Sequence, residues 1–469
     1  VTVNVVDDVA PSGAAINTGT GFIVGVTERG PAGLPTLVTS FRSYKDKFGS
    51  LAGGSDMYKA AYTFFNEGGL FLYVIRAAGT GAVAASATQA GWVRFDAKGP
   101  GTYGNNLSVE IDPQNGTNPV TFIVSVKESG VLKEQSSPMQ GADVAGWNSS
   151  IVTPTSLGTT YLADTAATAI LALTAGANGA APTDAEILAA LNTIGYAYGP
   201  GQVAIPGSRD PEQHAALAAH CEANHRVGIV DLPDTADNNL LKTTIATLAA
   251  AGKGARQLLA LGDVPTYPGE TPGVVWEVPY SGLQMGLVAR ADAGGDPSAV
   301  AAGTNGISRL ALGVKRNWTD AQREDMNYAG ISLGKMVNGQ LRTYGYRTAA
   351  GLNEPNWVFW QESRVVMGVA HECGAAMEEF VLQTIDGRGK IFVRVAAALT
   401  GICQRYWQAN ALFGELASEA FSVDTSYPGV NTVQTAAAGE IHATVRLKTS
   451  RIAEWVTLDI VKVPPTRQV

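Results

Sequence analysis

The spacing of apolar residues changes character along this chain, and those changes restrict its architecture more than any single motif does. From residue 21 to 76 strand and helix signals alternate. GFIVGVTE and TLVTSF are strand-like, and SYKDKFG is a short helix closed by Gly49. SDMYKAAYTFFNEGG opens at a Ser or Asp cap and carries Met57, Ala61, Phe64 and Phe65 at helical spacing up to Gly68-Gly69, before the strand LFLYVIRA. From about 91 to 175 helical spacing nearly vanishes. Short alternating runs (WVRFDA, NLSVEID, VTFIVSVKES) are separated there by Gly, Asn, Pro and Ser, which predicts an inserted all-β sandwich. The α/β rhythm resumes from 183 to about 350, with TDAEILAALNTIG and DPEQHAALAAHCEANH as helices and GQVAIPG and RVGIVDLP as strands. A second open α/β layer packed on the first is the economical expectation.

After Pro355 two long amphipathic helices are expected, joined at IDGRGK. The first is expected to bury Val366, Val369, Cys373, Met377, Phe380 and Val381, the second Ile391, Val395, Leu399, Ile402 and Tyr406. EIHATVRLKT and AEWVTLDIVKV then read as two strands before Pro464-Pro465. The fold class is multidomain α/β (α+β): an α/β core, an inserted all-β sandwich, and a carboxy-terminal domain of two helices plus a β-strand pair. The expected boundaries are an amino-terminal arm at 1–20, the first part of the core at 21–90, the sandwich at 91–180, an α/β domain at 181–355, the helical/β domain at 356–449 and a terminal strand or arm at 450–469.

Composition narrows the partners. The 469 residues carry 33 Lys and Arg against 41 Asp and Glu, a net charge of -8, so there is no basic footprint for a nucleic-acid backbone. No run of 18 apolar residues appears, and VTVNVVDDVAPSGAA has neither a basic nor an apolar leader pattern, so a soluble, cytosolically made chain without membrane insertion is expected. Cys221, Cys373 and Cys403 are far apart in sequence and outline neither a disulfide framework nor a zinc knuckle.

The motifs that could carry chemistry each lack a part. GPGTYG at 99–104 fits G-x-G-x-x-G, but a phosphate seat needs a following helix, and the following NNLSVEI is β-patterned. The glycines there fit a tight turn into the β insert, with Asn105 and Asn106 bonding locally. AAGKGAR has Thr247 and Gly254 where a P-loop needs Gly and Ser or Thr. His371-Glu372-Cys373 has Ala375 where a zinc protease has its second His. His214, His220, His225 and Cys221 do not share one helical face, and Ser281 lacks an identifiable base. Neither catalytic residues nor a cofactor or metal site is expected.

Several segments, in order, resemble the contractile tail sheath protein of bacteriophages and phage-tail-like particles. GFIVGVTERGPAGLPTLVTSFRSYKDKFGS (21–50), YKAAYTFFNEGGLFLYVIRA (58–77) and GPGTYGNNLSVEI (99–111) carry the likeness. YRT (346–348), NWVFWQESRV (356–365), PGVNT (428–432) and the closing strand pair complete it. The family's usual opening, Pro-Gly-Val before an aromatic or Val and acidic residues, is not visible in VTVNVVDDVAPSG. The resemblance implies a non-enzymatic virion protein that polymerises as a helical homo-oligomer around a tail tube protein, meets baseplate and tail terminator proteins, and contracts during host entry. It implies assembly in the host cytoplasm and no direct nucleic-acid contact. An α/β enzyme and a non-contractile virion protein are the alternatives.

The chain's ends agree with an assembling role. Val1, Val3 and Val5 lie on one face of an extended segment, as do Val456, Leu458 and Ile460, and such strands suit addition to a neighbour's sheet. Arg388 and Lys390, in the connection between the two helices, are candidates to face the tube. They fit a solvated turn equally well.

Overall fold

β1 (Gly21–Gly25) is buried at all five positions, as a strand covered on both faces must be. The computed structural model describes residues 18–51, 55–114, 120–163, 166–294, 296–351, 353–385 and 388–454. The chain divides at His371 and Glu372 into two units. In the first, β2 (Thr36–Val38) lies antiparallel to β3 (Leu72–Arg76), which runs parallel to β1 with Phe22 opposite Tyr73. Between them come α1 (Phe41–Phe48), capped by the Ser40 hydroxyl accepting from the Ser43 N–H at 3.1 Å, and α2 (Ser55–Glu67).

Eight strands of the insert follow: β4 (Ser86–Gln89), β5 (Val93–Ala97), β6 (Leu107–Gln114), β7 (Thr121–Glu128), β8 (Val131–Gln135), β9 (Met139–Gln140), β10 (Val152–Ser156) and β11 (Ala169–Ala172). They form one sheet ordered β10-β5-β4 and another ordered β11-β6-β7-β8, with β9 on β7. Trp92, Phe95, Val109, Ile111, Phe122 and Val124 fill a core of their own between them. The indole N–H of Trp92 donates to Gly141 O at 3.0 Å, so even the deepest polar group is satisfied.

GPGTYG stands where the chain enters β6. Gly101 has φ 139°, and Thr102–Asn106 make a single 3-10 turn that runs directly into the strand, with no helix for a phosphate. Gly99 is required by space rather than by torsion, because a Cβ there would lie 1.9 Å from Gly30 O. Asn105 does not bond locally, as the sequence suggests. Its Nδ2 donates to Gly176 O at 3.0 Å and its Oδ1 accepts from Gly176 N at 2.8 Å. The chain leaving the insert runs beside the chain entering it, so the side-chain amide completes a backbone-like pair across that neck.

The remaining strands are β12 (Gln202–Ala204), β13 (Val227–Asp231), β14 (Leu258–Leu261), the small ribbon of β15 (Pro265–Pro268), β16 (Val275–Glu277) and β17 (Gly313–Val314), then β18 (Ile331–Val337) and β19 (Gln340–Tyr344). Helices α3 (Asp184–Asn192), α4 (Pro211–Ala223), α5 (Asn238–Ala250), α6 (Tyr280–Asp292) and α7 (Asp320–Tyr328) connect them, and α8 (Trp360–Glu378) follows. Their starts are written in the sequence: Thr183 and Thr319 each close a capping box, and Asp210 precedes Pro211 at N1. No described helix is long and apolar enough to cross a membrane.

The two α/β stretches do not form separate layers. β12 pairs parallel with β1, Gly21 opposite Gln202, and one eight-stranded sheet results, ordered β19-β18-β14-β13-β12-β1-β3-β2. Because the insert leaves and returns at one neck, the free edge of β1 is available to a strand far along the chain. Phe22, Val24, Ile75, Val203, Val230 and Leu258 join one core across that seam. Glu67, fully buried at the end of α2, accepts from Tyr267 OH at 3.0 Å, Arg309 N at 2.9 Å and Arg290 Nη1 at 3.2 Å. Such a charge is tolerated only because its lone pairs are occupied.

Gly99→Ala is expected to destabilise the first unit by about 2 kcal/mol or more, because backbone rather than a flexible side chain blocks the new methyl. Gly146→Ala, which meets nothing within 4 Å, is expected to stay within about 0.5 kcal/mol. Urea unfolding of the two variants checks the contrast.

Candidate assembly interface

The second unit begins inside α8, at Glu372, and is built on α9 (Lys390–Gln408). α9 buries Ile391, Val395, Leu399, Ile402 and Tyr406, the face its spacing predicts. Glu372 accepts from Tyr406 OH at 2.9 Å and pairs with Arg405. Cys373 and Cys403 are free thiols, and a hydrogen bond to Cys403 together with burial pushes the Cys373 pKa well above the ordinary thiol range. Val366, Cys373 and Met377 are only half-buried. Val381 is exposed, contrary to the helical projection, because α8 ends at Glu378 and the spacing no longer applies. Phe380 turns inward under the Arg394 guanidinium, 5.5 Å from its ring centroid.

Arg388 and Lys390 are both exposed at the start of α9. Lys390 is the first residue of that helix, and the first turn contains no acidic residue. A cation there opposes the helix dipole.

After α9 come α10 (Ala417–Ala420), β20 (Phe421–Asp424), α11 (Val433–Ala437) and β21 (Thr444–Leu447). β20 and β21 pair antiparallel from Phe421 opposite Leu447 to Asp424 opposite Thr444. The excursion between them is fixed by Asn431, fully buried within PGVNT. Its Nδ2 donates to Thr425 O at 3.1 Å and to His442 O at 2.8 Å, while its Oδ1 accepts from His442 N at 2.7 Å. Thr425 Oγ1 donates to Phe392 O at 2.9 Å and the Tyr427 ring stacks on Phe392 at 5.4 Å, docking the loop onto α9. Beyond β21, Phe413 N donates to Lys448 O at 2.8 Å and Ser450 N to Ala411 O at 3.1 Å.

The ribbon holds two strands only; among the described residues no third strand joins it. The EIHATVRLKT segment thus supplies β21, but its partner is β20, which the tail pattern did not single out. AEWVTLDIVKV from Trp455 onward lies outside the described residues. So do Val1, Val3, Val5, Val456, Leu458 and Ile460.

The residues tested for chemistry have structural partners. Ser281 Oγ donates to Asp231 Oδ2 at 2.5 Å and its N–H to Asp231 Oδ1 at 2.8 Å, so the hydroxyl faces a carboxylate that fixes α6 to the end of β13. His214 Nε2 bonds to Ser208 O at 3.0 Å, and burial lowers its pKa. Burial pushes the Cys221 thiol up to about 12. Among the described residues no group of three His, Cys, Asp or Glu is placed to hold a metal ion.

Sequence reasoning missed a polar crevice at the carboxyl ends of β13 and β14, lined by Asp56, Lys59, Arg209, Asp231, Asp263 and Tyr280. VGIVD and LLALGD, strands ending at an acid, were the available signal. Burial pushes the Asp263 carboxyl up to about 7 and also raises Asp56. The hydrogen bond from Val264 N to Asp263 Oδ1, at 2.9 Å, only partly offsets that burial.

No family model matches the chain, and no curated protein does. Solved structures do. The sheath tail protein of Listeria innocua covers 92% of this chain and 94% of its own at 13% identity and TM-score 0.63. The sheath tail protein of Desulfitobacterium hafniense covers 91% and 93% at 16% identity and TM-score 0.57. The contracted helical sheath of the anti-feeding prophage covers 98% of each chain at 16% identity and TM-score 0.58. This chain has the tail-sheath fold. Likeness over nine-tenths of the length includes the insert and the carboxy-terminal unit, so the tail-sheath fold accounts for the whole order of elements rather than for the α/β core alone.

Two predictions follow from this geometry. Asn431→Ala removes three buried hydrogen bonds and is expected to cost about 2–4 kcal/mol, read as a shift in the thermal midpoint of the second unit. The raised Asp263 keeps its proton in the folded state where the unfolded chain has lost it, so folding stability falls as pH rises from about 4 to about 7. Asp263→Asn is expected to flatten urea midpoints across that window.

Proposed function

We propose that this chain is a contractile tail sheath subunit, which polymerises as a helical sheath around a tail tube and shortens to drive the tube through a cell envelope. The observation that carries this reading is a two-stranded ribbon, in a chain with the tail-sheath fold, whose edges have no third strand among the described residues. Residues around Val1, Val3 and Val5 of one copy and around Val456, Leu458 and Ile460 of another extend the ribbons of their neighbours. A strand of five residues gains about 5 kcal/mol from hydrogen bonds and about 6 from three apolar side chains. Ordering it costs about 8 kcal/mol, so one arm alone holds weakly. Two arms per subunit, repeated through a lattice, act at high effective concentration and hold the copies together while the rigid bodies rotate. Contacts that do not close on themselves generate the helix.

Arg388 and Lys390 face the tube in this reading. Their support is the exposed placement of both cations and the position of Lys390 at a helix amino terminus, where a positive charge opposes the helix dipole. The insert lies outward, baseplate and terminator proteins cap the polymer, and no reaction is catalysed. The particle is assembled in the host cytoplasm and acts as part of a virion or a phage-tail-like machine.

Deleting residues 455–469 leaves the Ser450 contacts intact, so the variant is expected to fold with the native circular dichroism spectrum and yet give no striated cylinders by electron microscopy. Normal cylinders from that truncation would remove the carboxy-terminal arm from the account. For the tube contact, Arg388→Glu with Lys390→Glu is expected to abolish assembly on purified tubes while leaving tube-free polymers unaffected.

A further inference from the structure

Two histidines meet at Tyr196 in the first unit, and a buried arginine with a third histidine braces the backbone on either side of it. The His371 ring of α8 lies against the Tyr196 ring at 4.3 Å between centroids, with 31° between the planes, and Tyr196 OH donates to His371 O at 2.8 Å. His225, held at φ 51°, meets Tyr196 edge-on at 5.9 Å. Arg226 is fully buried; it donates to Ile194 O and Gly195 O at 2.8 Å and to Gly199 O at 2.9 Å, and its Nη1 is 3.4 Å from His220 Nε2. Its guanidinium also lies 4.7 Å from the Phe22 ring centroid on β1.

We infer that Tyr196, His220, His225, Arg226 and His371 form an acid-sensitive clasp that holds the His371 end of the first-unit part of α8 on the α/β core, while Trp360, Ser363 and Arg364 fix its start through Gln257 O, Arg256 O and Asp292. The clasp works only while its imidazoles are neutral. The charged and titratable groups facing His371 are Arg226 and His225, and the one facing His220 is Arg226, with Cys221 beside it on α4. No carboxylate among the described residues is ion-paired to any of them; Glu222 is exposed on α4 and Glu372 is engaged by Arg405 and Tyr406. Among the described residues Arg226 is balanced by carbonyl dipoles, the Phe22 ring and the His220 imidazole rather than by a carboxylate, so every added proton is a like charge in a poorly hydrated place. His371 Nδ1 has no hydrogen-bond partner, which leaves it ready to accept that proton as soon as the stack opens.

The direction of the pH effect follows from the depressed basicity of these groups. Burial first, then Arg226, pulls His220 down to about 4, and burial, Arg226 and His225 lower His371. Between pH 6.5 and about 4 the released state binds protons that the clasped state does not. The clasp is therefore intact at neutral pH and weakens as pH falls through that window. This inference does not depend on the sheath reading, and the test uses the full unassembled chain, so the two can fail separately.

Hydrogen exchange, corrected for the intrinsic pH dependence of the chemistry, is compared at pH 7.5 and 5.0. Protection of α8 amides in residues 368–371 is expected to fall about tenfold at pH 5.0, with β13 and residues 360–364 unchanged. His371→Gln is expected to keep α8 protected at pH 5.0, and His371→Lys to expose it already at pH 7.5. An equal loss of protection at pH 5.0 in His371→Gln overturns the proposal. Should either variant fail to fold, histidine-selective NMR titration of the native chain decides: a His371 midpoint below 6.5 supports the clasp, and one at or above 6.5 rules it out.

Discussion

A two-stranded antiparallel ribbon is barely stable in water, because half of its backbone groups face solvent and one face at most is covered. The β20–β21 ribbon survives in this chain because Asn431 closes its excursion and Phe392 receives its loop. Among the described residues neither device supplies partners for the outer backbone groups, and no third strand joins the ribbon. An edge that is neither charged throughout, nor bulged, nor covered is a template for another strand. The account of this molecule as an assembling one rests on that unfilled capacity, set at the end of a chain whose first unit buries the edges of its own parallel strands inside an eight-stranded sheet.

The first unit supplies rigidity. Six parallel strands lie between antiparallel edge strands, and β1 at the seam joins two stretches of sequence separated by the whole insert. Glycine at the neck lets the insert stand on the core at backbone-to-backbone distance, and Arg76 braces the same place by donating to Gly30 O at 2.9 Å and Pro100 O at 2.7 Å. The contraction proposed above, in which a lattice changes without unfolding its parts, calls for bodies of this kind, with compliance kept to the connections between copies.

Much of this was legible in the residues. Period-3.6 spacing located α2 and the buried face of α9, α3 and α4 fall on the two segments read as helices, and the missing helix after GPGTYG separated a steric turn from a phosphate loop. What stayed hidden depends on long-range placement. Nothing local says that β12 pairs with β1, that Asn105 answers Gly176, or that the partner of β21 is Phe421–Asp424. Val381 was misplaced because a helical projection does not know where the helix stops. Asp263 was overlooked because a raised carboxyl pKa is a property of burial, which one-dimensional spacing does not measure.

The central claim is that copies are joined by lent strands, and a cross-link between copies tests it most directly. Two populations of chain, one with Val456→Cys and a size tag, the other with Ser422→Cys on β20 and no tag, are mixed, assembled and oxidised. The account predicts a disulfide joining tagged to untagged chains, formed in polymers and absent from dilute monomers. Intact polymers without that bond, or the same pair of cysteines in a single chain closing within one copy, would contradict it.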